Sequence, residues 1–406
     1  MSYKYASIIP LVGGMVIGNK QATGLDPEFM LSYSAFESND SHIVEYLNEV
    51  PYYALDDEEN KVPNLKSKYY KNIDFMTSVC PCAGLSMLNC AQGTKMSRGS
   101  DAPQNNWMYQ SAEWVFENVR PKVYWGENAP SLYTSMGKGV RDKLKSLAKE
   151  YGYSLSIVKT DTFLHGIPQH RPRTFYFFWD SKTAPILSWI KKDTKTLSEY
   201  LNEIPEEASY KDVNFAKAKD IEQYHVIDFI LEKEGLELSE FRKVYRGGIF
   251  SYIYHNDLFD EAIEWLEKNS FDDTKEYKKI NYIKGKKEDG LGFWDSSPFL
   301  VKEATNSIIS KTMACLVHPD EFRYLNIREY MWLMGLPHDF KLTNKKFNHI
   351  AQNVPVTTAK TYTEEVMKYL DGNLMDSGYS FVMQNNISQK IDESSNFRTI
   401  RKNSLL

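Results

Sequence analysis

Cysteine is scarce in this chain, four among 406 residues. That excludes a disulfide-stapled scaffold, and a reduced, cytoplasmic protein is expected. No stretch approaches the roughly 18 unbroken apolar residues that a membrane helix needs. No charged N-terminal region leads into a long apolar one, so neither a secretion signal nor a membrane partner is expected. An excess of positive charge is also missing. Lysine and arginine total 49 against 54 acidic residues, a formal net charge of -5. A nucleic-acid partner would have to be met by a local patch, not by the field of the whole chain. No internal repeat occurs, which argues against solenoids and propellers. What is present is 42% hydrophobic and 14% aromatic residues, enough for a sizeable core.

The first half alternates short apolar runs with helical patterns. Strands are expected at Ser7–Val12, Phe29–Phe36, Ile73–Val79, Lys122–Trp125, Tyr153–Thr160 and Thr174–Trp179. Helices are expected at Ile43–Val50, Trp107–Asn118 and Lys138–Tyr151. This rhythm predicts an α/β fold with a doubly wound, mostly parallel sheet. The middle, about residues 181–325, loses the rhythm and reads as a second, smaller domain. The helical pattern returns near residue 326 and continues to about 371. The tail, 372–406, is rich in Asn, Ser and Asp and is expected to be irregular.

Chemistry-bearing residues gather where strands end. Gly13, Gly14 and Gly18 follow the first strand, as in turns that admit a nucleotide-like ligand. Glu37, roughly 20 residues past the glycines, is placed to bond ribose hydroxyls. Cys80-Pro81-Cys82 follows the third strand, where an exposed thiol with a lowered pKa would be a nucleophile. Cys80 and Cys82 could instead be buried apolar residues, or join Cys90 around zinc, although the spacing lacks the usual CxxC pair. Glu127, with Asn128, ends the next strand and could donate a proton to a ring nitrogen. Gln169, Arg171 and Arg173 alternate on an extended segment, so both arginines point one way, toward an anionic or carbonyl-rich substrate. Each alone is an ordinary surface or turn residue; their convergence on one sheet edge is the signal.

These segments resemble the DNA cytosine-5 methyltransferase family, over about residues 6–179 and 310–370. The stretch IDFMTSVCPCAGLS is similar to the family's Pro-Cys loop and places Cys82 as the nucleophile, beside Pro81 and the loop residue Ser86. GENA, at Gly126–Ala129, resembles the Glu-Asn-Val motif. QHRPR, at Gln169–Arg173, resembles the Gln-x-Arg-x-Arg motif. REYMWLMGLP and the segment around Asn353 resemble the later motifs. The resemblance implies a Rossmann-like S-adenosylmethionine-dependent catalytic domain, at 1–180 and 326–371, around a target-recognition domain at 181–325. It implies a prokaryotic or phage enzyme, acting as a monomer on duplex DNA and flipping a cytosine into its pocket. Cys82, Glu127, Arg171 and Arg173 would be catalytic. Asn128, Gln169 and Ser86 would touch substrate. Ile9, Val12, Gly13, Gly14, Glu37, Asp56, Pro81, Met108 and Asn353 would surround the cofactor, and no metal is implied.

The departures concentrate on the cofactor side. The family's Asp-x-Phe-x-Gly-x-Gly is here Ser7-Ile8-Ile9-Pro10-Leu11-Val12-Gly13, without the Asp, the Phe and one Gly. Ile9 would have to serve as the apolar wall to adenine. Three other readings follow. An inactive DNA-binding homologue is opposed by retention of the four catalytic residues. An RNA cytosine-5 methyltransferase is opposed by the size of the middle region. A modified adenosylmethionine donor is suggested by the altered loop. For DNA contact, two candidates lie in the middle region. One is a lysine and tyrosine patch: Lys275, Tyr277, Lys278, Lys279, Tyr282, Lys284, Lys286 and Lys287. The other is Arg242, Lys243 and Arg246 before a flexible Gly247-Gly248 loop, with Arg246 reading guanine.

Overall fold

The computed structural model describes residues 3–56, 72–86, 99–205, 225–293, 295, 299–300, 303–310, 316–321, 323–344 and 346–387. It divides into two compact units, Met1–Thr194 with Met331–Gln389, and the intervening Lys195–Tyr330.

The first unit is built on one sheet. Its strands are β1 (Tyr5–Ile8), β2 (Met30–Ser32), β3 (Tyr52–Ala54), β4 (Phe75–Val79), β5 (Val123–Asn128), β6 (Ser154–Asp161), β7 (Pro172–Trp179) and β8 (Phe381–Asn385). Their spatial order is β8-β6-β7-β5-β4-β1-β2-β3. Every pairing is parallel except those of β7, which is antiparallel to β5 and β6. The central strands are buried along their whole length, which is why FMTSV reads as a continuous run and not an alternation. Helices α1 (Gly14–Thr23), α2 (Glu37–Tyr46), α3 (Asn106–Asn118) and α4 (Lys138–Tyr151) connect the strands. Both faces are covered. Phe116 of α3 packs on Tyr124 and Phe178 of one face, while Tyr362, in the helix Val356–Leu370, packs on Trp125, Phe175 and Phe177 of the other.

Close packing of α1 on that last helix depends on small residues. A Cβ on Gly18 would stand 2.5 Å from the Ala359 Cβ. Between them a buried polar chain is satisfied internally. Thr363 donates to Asn19 Oδ1 at 2.7 Å, and Asn19 Nδ2 donates to Thr77 Oγ1 at 3.1 Å.

Three expectations are corrected. The first strand is shorter than Ser7–Val12, because the chain enters the left-handed region at Ile9 (φ 53) and Leu11 (φ 49). Pro10 between them has no N–H to extend the ladder. Ile9 tolerates this geometry with both backbone groups paired: its N–H donates to Leu31 O at 2.8 Å, and its carbonyl accepts from Val79 at 3.1 Å. The second strand ends at Ser32, and the remaining residues to Phe36 form a 3-10 turn before α2. The tail is not irregular throughout: β8 pairs in register with β6, from Phe381 with Leu155 to Asn385 with Lys159. That pairing spans more than 220 residues of chain, so no local pattern announces it.

The second unit is mainly helical where described, with helices His225–Glu234, Leu238–Val244, Ile249–Asn256, Phe259–Lys268 and Lys275–Glu288. Its own core includes Val226, Ile230, Ile253, Leu266, Ile280 and Leu300. Gly247 and Gly248 are not a flexible loop. They form a short antiparallel ladder with Phe299 and Leu300. A Cβ on Gly248 would lie 2.1 Å from Asp295 Oδ2.

Candidate active site

Parallel strands bring their carboxyl ends to one edge, and the reversed β7 begins there. Cys82, Glu127 and Arg173 therefore converge from the ends of β4, β5 and the start of β7. Glu127 is buried, and Arg173 Nε stands 2.8 Å from its Oε1. Burial pushes the Glu127 carboxyl above its ordinary pKa, against the opposing pull of Arg173 and Arg171. Burial also pushes the Cys82 thiol up, reinforced by the Glu127 charge and opposed by Arg173 and then Arg171. A thiol, a carboxyl and two guanidinium groups thus form one coupled electrostatic set. Loss of the Glu127 charge would remove a force that disfavours the thiolate, leaving the arginines to favour it.

Arg171 differs from the expectation that it holds a substrate. It is buried, and its Nη2 donates to Ala351 O at 2.6 Å and Asn353 O at 3.1 Å. It ties β7 to the 351–353 segment, and its charge acts on Cys82 and Glu127. Burial, then Arg173, pull its pKa down to about 9, so it stays cationic at neutral pH. Gln169, expected to touch substrate, is likewise buried and donates to Leu333 O at 2.8 Å. Asn128 is buried; its Oδ1 accepts from Ala129 N, and its Nδ2 makes no hydrogen bond to any of the described residues. Pro81 and Ser86 are partly exposed in the loop after β4, and residues 87–98 beyond it lie outside the described residues. Gly99 N donates to Gly84 O at 2.8 Å and joins the two described ends of that loop.

On the cofactor side, Gly13 (φ 100) turns the chain into α1, and Gly14 N donates to Asn353 Oδ1 at 2.7 Å. A Cβ on Gly14 would stand 2.0 Å from Val354 O, so only glycine fits there. Asn353 Nδ2 is buried without a hydrogen-bond partner among the described residues. Ile9, Val12 and Met108 are fully buried and present no surface to a ligand, contrary to the wall expected of Ile9. Glu37 is exposed in the first turn of α2, beyond the end of β2. Asp56 follows β3 and accepts from Ser34 N at 2.7 Å and Ser34 Oγ at 3.0 Å, which joins the ends of β2 and β3.

Sequence reasoning missed an aromatic cluster at this edge. Trp107, at the start of α3, packs on Tyr33 with ring centroids 4.7 Å apart and on Phe36 at 5.0 Å. All three are partly exposed. The signal was present as aromatics just past β2 and just inside α3, but their meeting is a tertiary event. Arg246 lies in the second unit, half-buried, and burial lowers its pKa against the opposing pull of Glu303. Arg242 is committed to structure: its guanidinium donates to the carbonyls of His318 (2.8 Å), Pro319 (2.6 Å) and Glu321 (3.3 Å).

The family model for C-5 cytosine-specific DNA methylases matches residues 3–368. The chain belongs to this family. Over 105 residues it is 30% identical to the Type II methyltransferase M.AgeI of Thalassovita gelatinovora, covering 26% of this chain and only 23% of that relative's length. Among solved structures it is similar to a prophage-encoded protein of E. coli assigned as a DNA modification methyltransferase, with TM-score 0.56 and 15% identity over 91% of this chain and all of that one. It is also similar to the methyltransferase EhMeth of Entamoeba histolytica, with TM-score 0.51 and 11% identity over 91% of this chain and 99% of that one. These two similarities show the fold. The mostly parallel sheet with helices on both faces is consistent with that fold. Among the described residues, no helix is long and apolar enough to cross a membrane.

Proposed function

We propose that this C-5 cytosine methylase acts on duplex DNA and methylates carbon 5 of a flipped cytosine, with Cys82 as nucleophile. The observation that carries this reading is the buried Glu127–Arg173 pair electrostatically coupled to the Cys82 thiol. The Cys82 thiolate adds to ring carbon 6, and the new C–S bond places electron density on carbon 5. Glu127, whose burial makes its carboxyl easier to protonate than an exposed one, gives a proton or hydrogen bond to ring nitrogen 3 and stabilises the adduct. Arg173 holds Glu127 in place and favours the thiolate. Arg171 fixes the strand that carries Arg173. S-adenosylmethionine, when bound, supplies an electrophilic methyl group to carbon 5. Loss of the carbon 5 proton to solvent then re-forms the C5=C6 double bond as the C6–S bond breaks and releases the Cys82 thiolate.

Residues of this chain fit that cofactor. Asn353 offers a buried Nδ2 group with no hydrogen-bond partner among the described residues, the Gly13–Gly14 turn leads into α1, and Asp56 and Glu37 offer carboxylates. Tyr33, Phe36 and Trp107 offer the apolar wall that Ile9 does not. The Lys195–Tyr330 unit, rather than the catalytic unit, is assigned target recognition, with Arg246 the candidate base reader.

The deciding experiment traps the adduct. Duplex DNA carrying 5-fluorocytosine, with S-adenosylmethionine present, should form a covalent complex through Cys82. Cys82→Ser should form none while still binding DNA, because a hydroxyl is far less ionised than a thiol. Adduct formation by Cys82→Ser, or on RNA in preference to DNA, would defeat the proposal.

A further inference from the structure

Ser78, Gly126 and Tyr176 stand level with one another across three adjacent strands. Ser78 of β4 pairs in register with Gly126 of β5, and Gly126 pairs with Tyr176 of β7. β4 and β7 are not neighbours, yet Ser78 Oγ and the Tyr176 hydroxyl meet at 2.7 Å. They reach each other because the residue between them has no side chain. A Cβ at Gly126 would stand 2.3 Å from the Tyr176 hydroxyl oxygen and 2.6 Å from Ser78 Oγ. This explains glycine directly before Glu127 in an otherwise bulky, buried strand, a position where glycine is ordinarily unfavourable.

The bridge extends to the nucleophile loop. The Tyr176 hydroxyl lies 3.7 Å from Cys80 Sγ, and Cys80 Sγ lies 3.8 Å from Ser78 Oγ. The Tyr124 hydroxyl donates to Ser78 Oγ at 2.9 Å. One assignment of hydrogens uses every donor. Tyr124 and Cys80 donate to Ser78, Ser78 donates to Tyr176, and Tyr176 donates to Cys80. All four side chains are buried, so the ring satisfies polar groups inside the core. Burial pushes the Cys80 thiol up to about 11, so it remains a neutral donor. Pro81 alone separates Cys80 from Cys82, and its fixed φ passes the position of one residue to the other.

The three strands tied here carry three different members of the catalytic set. β4 leads to Cys82, β5 carries Glu127 one residue before its end, and β7 carries Arg173 at its second position. The ring lies on the sheet face opposite Glu127, since Gly126 and Glu127 alternate along β5. We propose that the Ser78–Tyr176–Cys80 ring is a positioning device that sets the register of the Cys82 loop against Glu127 and Arg173. Tyr176 and Cys80 act through Cys82 and touch neither substrate nor cofactor. The inference rests on the proposed role of Cys82, and the test separates the two.

The test measures the single-turnover rate of adduct formation between the full-length protein and 5-fluorocytosine duplex DNA. Tyr176→Phe and Cys80→Ala should each slow it about tenfold, the effect of about one buried hydrogen bond left unmade, with DNA and cofactor affinities held within about twofold. The double variant should be no slower than the slower single, since both break one ring. Cys80→Ser, which can still donate and accept, should restore the rate to within about threefold of the parent. Should Tyr176→Phe not fold, the Cys80→Ser and Cys80→Ala pair carries the same test. Parental rates in Tyr176→Phe or Cys80→Ala, multiplying effects in the double variant, or a Cys80→Ser as slow as Cys80→Ala would each overturn the inference while leaving Cys82 as nucleophile. No adduct in the parent protein would instead overturn the proposed function, and this inference with it.

Discussion

Arg173 Nε and Glu127 Oε1 lie 2.8 Å apart, joining two strands that run in opposite directions. The pair sits where Cys82 feels both charges with opposite sign. A carboxylate so placed raises the thiol pKa, and a guanidinium lowers it.

Glu127→Gln separates the two effects of the carboxyl group. The substitution removes the negative charge that disfavours the thiolate, so the Cys82 pKa should fall. Alkylation of Cys82 by iodoacetamide, followed against pH, should reach half its maximum at a lower pH than in the parent. Turnover should nevertheless drop by about 10²–10⁴-fold, the typical worth of a general acid or base. An alkylation midpoint that stayed put or rose would break the assigned coupling.

Arg173→Gln should act in the reverse direction. Removing the cation leaves burial and the Glu127 charge unopposed near the thiol, apart from Arg171, so the Cys82 pKa should rise. The same substitution removes the strongest pull holding the Glu127 pKa down. Adduct formation at neutral pH should be slower than in the parent and should recover toward alkaline pH as the thiolate appears. A uniform loss across the whole pH range would assign Arg173 to shape and not to charge.

The aromatic cluster and Ile9 should divide cleanly between binding and stability. Trp107→Ala should weaken S-adenosylmethionine binding, measured by calorimetry, by at least the ~0.5–1.5 kcal/mol that an aromatic pair adds beyond its buried area. Ile9→Ala should leave that affinity nearly unchanged and cost about 2–5 kcal/mol of folding stability, as for a buried aliphatic residue. The opposite division would return the adenine wall to Ile9.

The lysine patch is not uniform. Lys278, Lys284 and Lys287 are paired with Asp273, Asp260 and Asp257 at 3.1, 2.6 and 2.8 Å. Lys279 and Lys286 instead flank the exposed Tyr282, with cation-to-ring distances of 5.3 and 5.6 Å, and Lys275 continues that stripe at helical spacing. Replacing Lys275, Lys279 and Lys286 with Gln should flatten the salt dependence of DNA binding, by about 0.9 in log–log slope for each phosphate no longer neutralised. Replacing the three paired lysines should change the slope less. Equal slopes in all three proteins would remove this helix from the DNA interface.

Sequence alone picked out the candidate site and its place at the strand ends. Cys82, Glu127 and the Arg171/Arg173 segment carry strand-end patterns that short-range periodicity makes visible, and the apolar runs behind them become the central strands. Residue type also decided that the middle region breaks the strand–helix rhythm. Only tertiary structure decided which groups are free to act. Arg171 and Gln169 read as substrate ligands, yet main-chain carbonyls of Ala351, Asn353 and Leu333, more than 160 residues away, occupy them. The Tyr33–Phe36–Trp107 cluster, the β8–β6 pairing and the Ser78–Tyr176 bridge over Gly126 are equally nonlocal. The reason is physical. Periodicity reports which face of an element is buried, whereas hydrogen-bond partners and ring contacts depend on register between elements far apart in the chain, which no local pattern records.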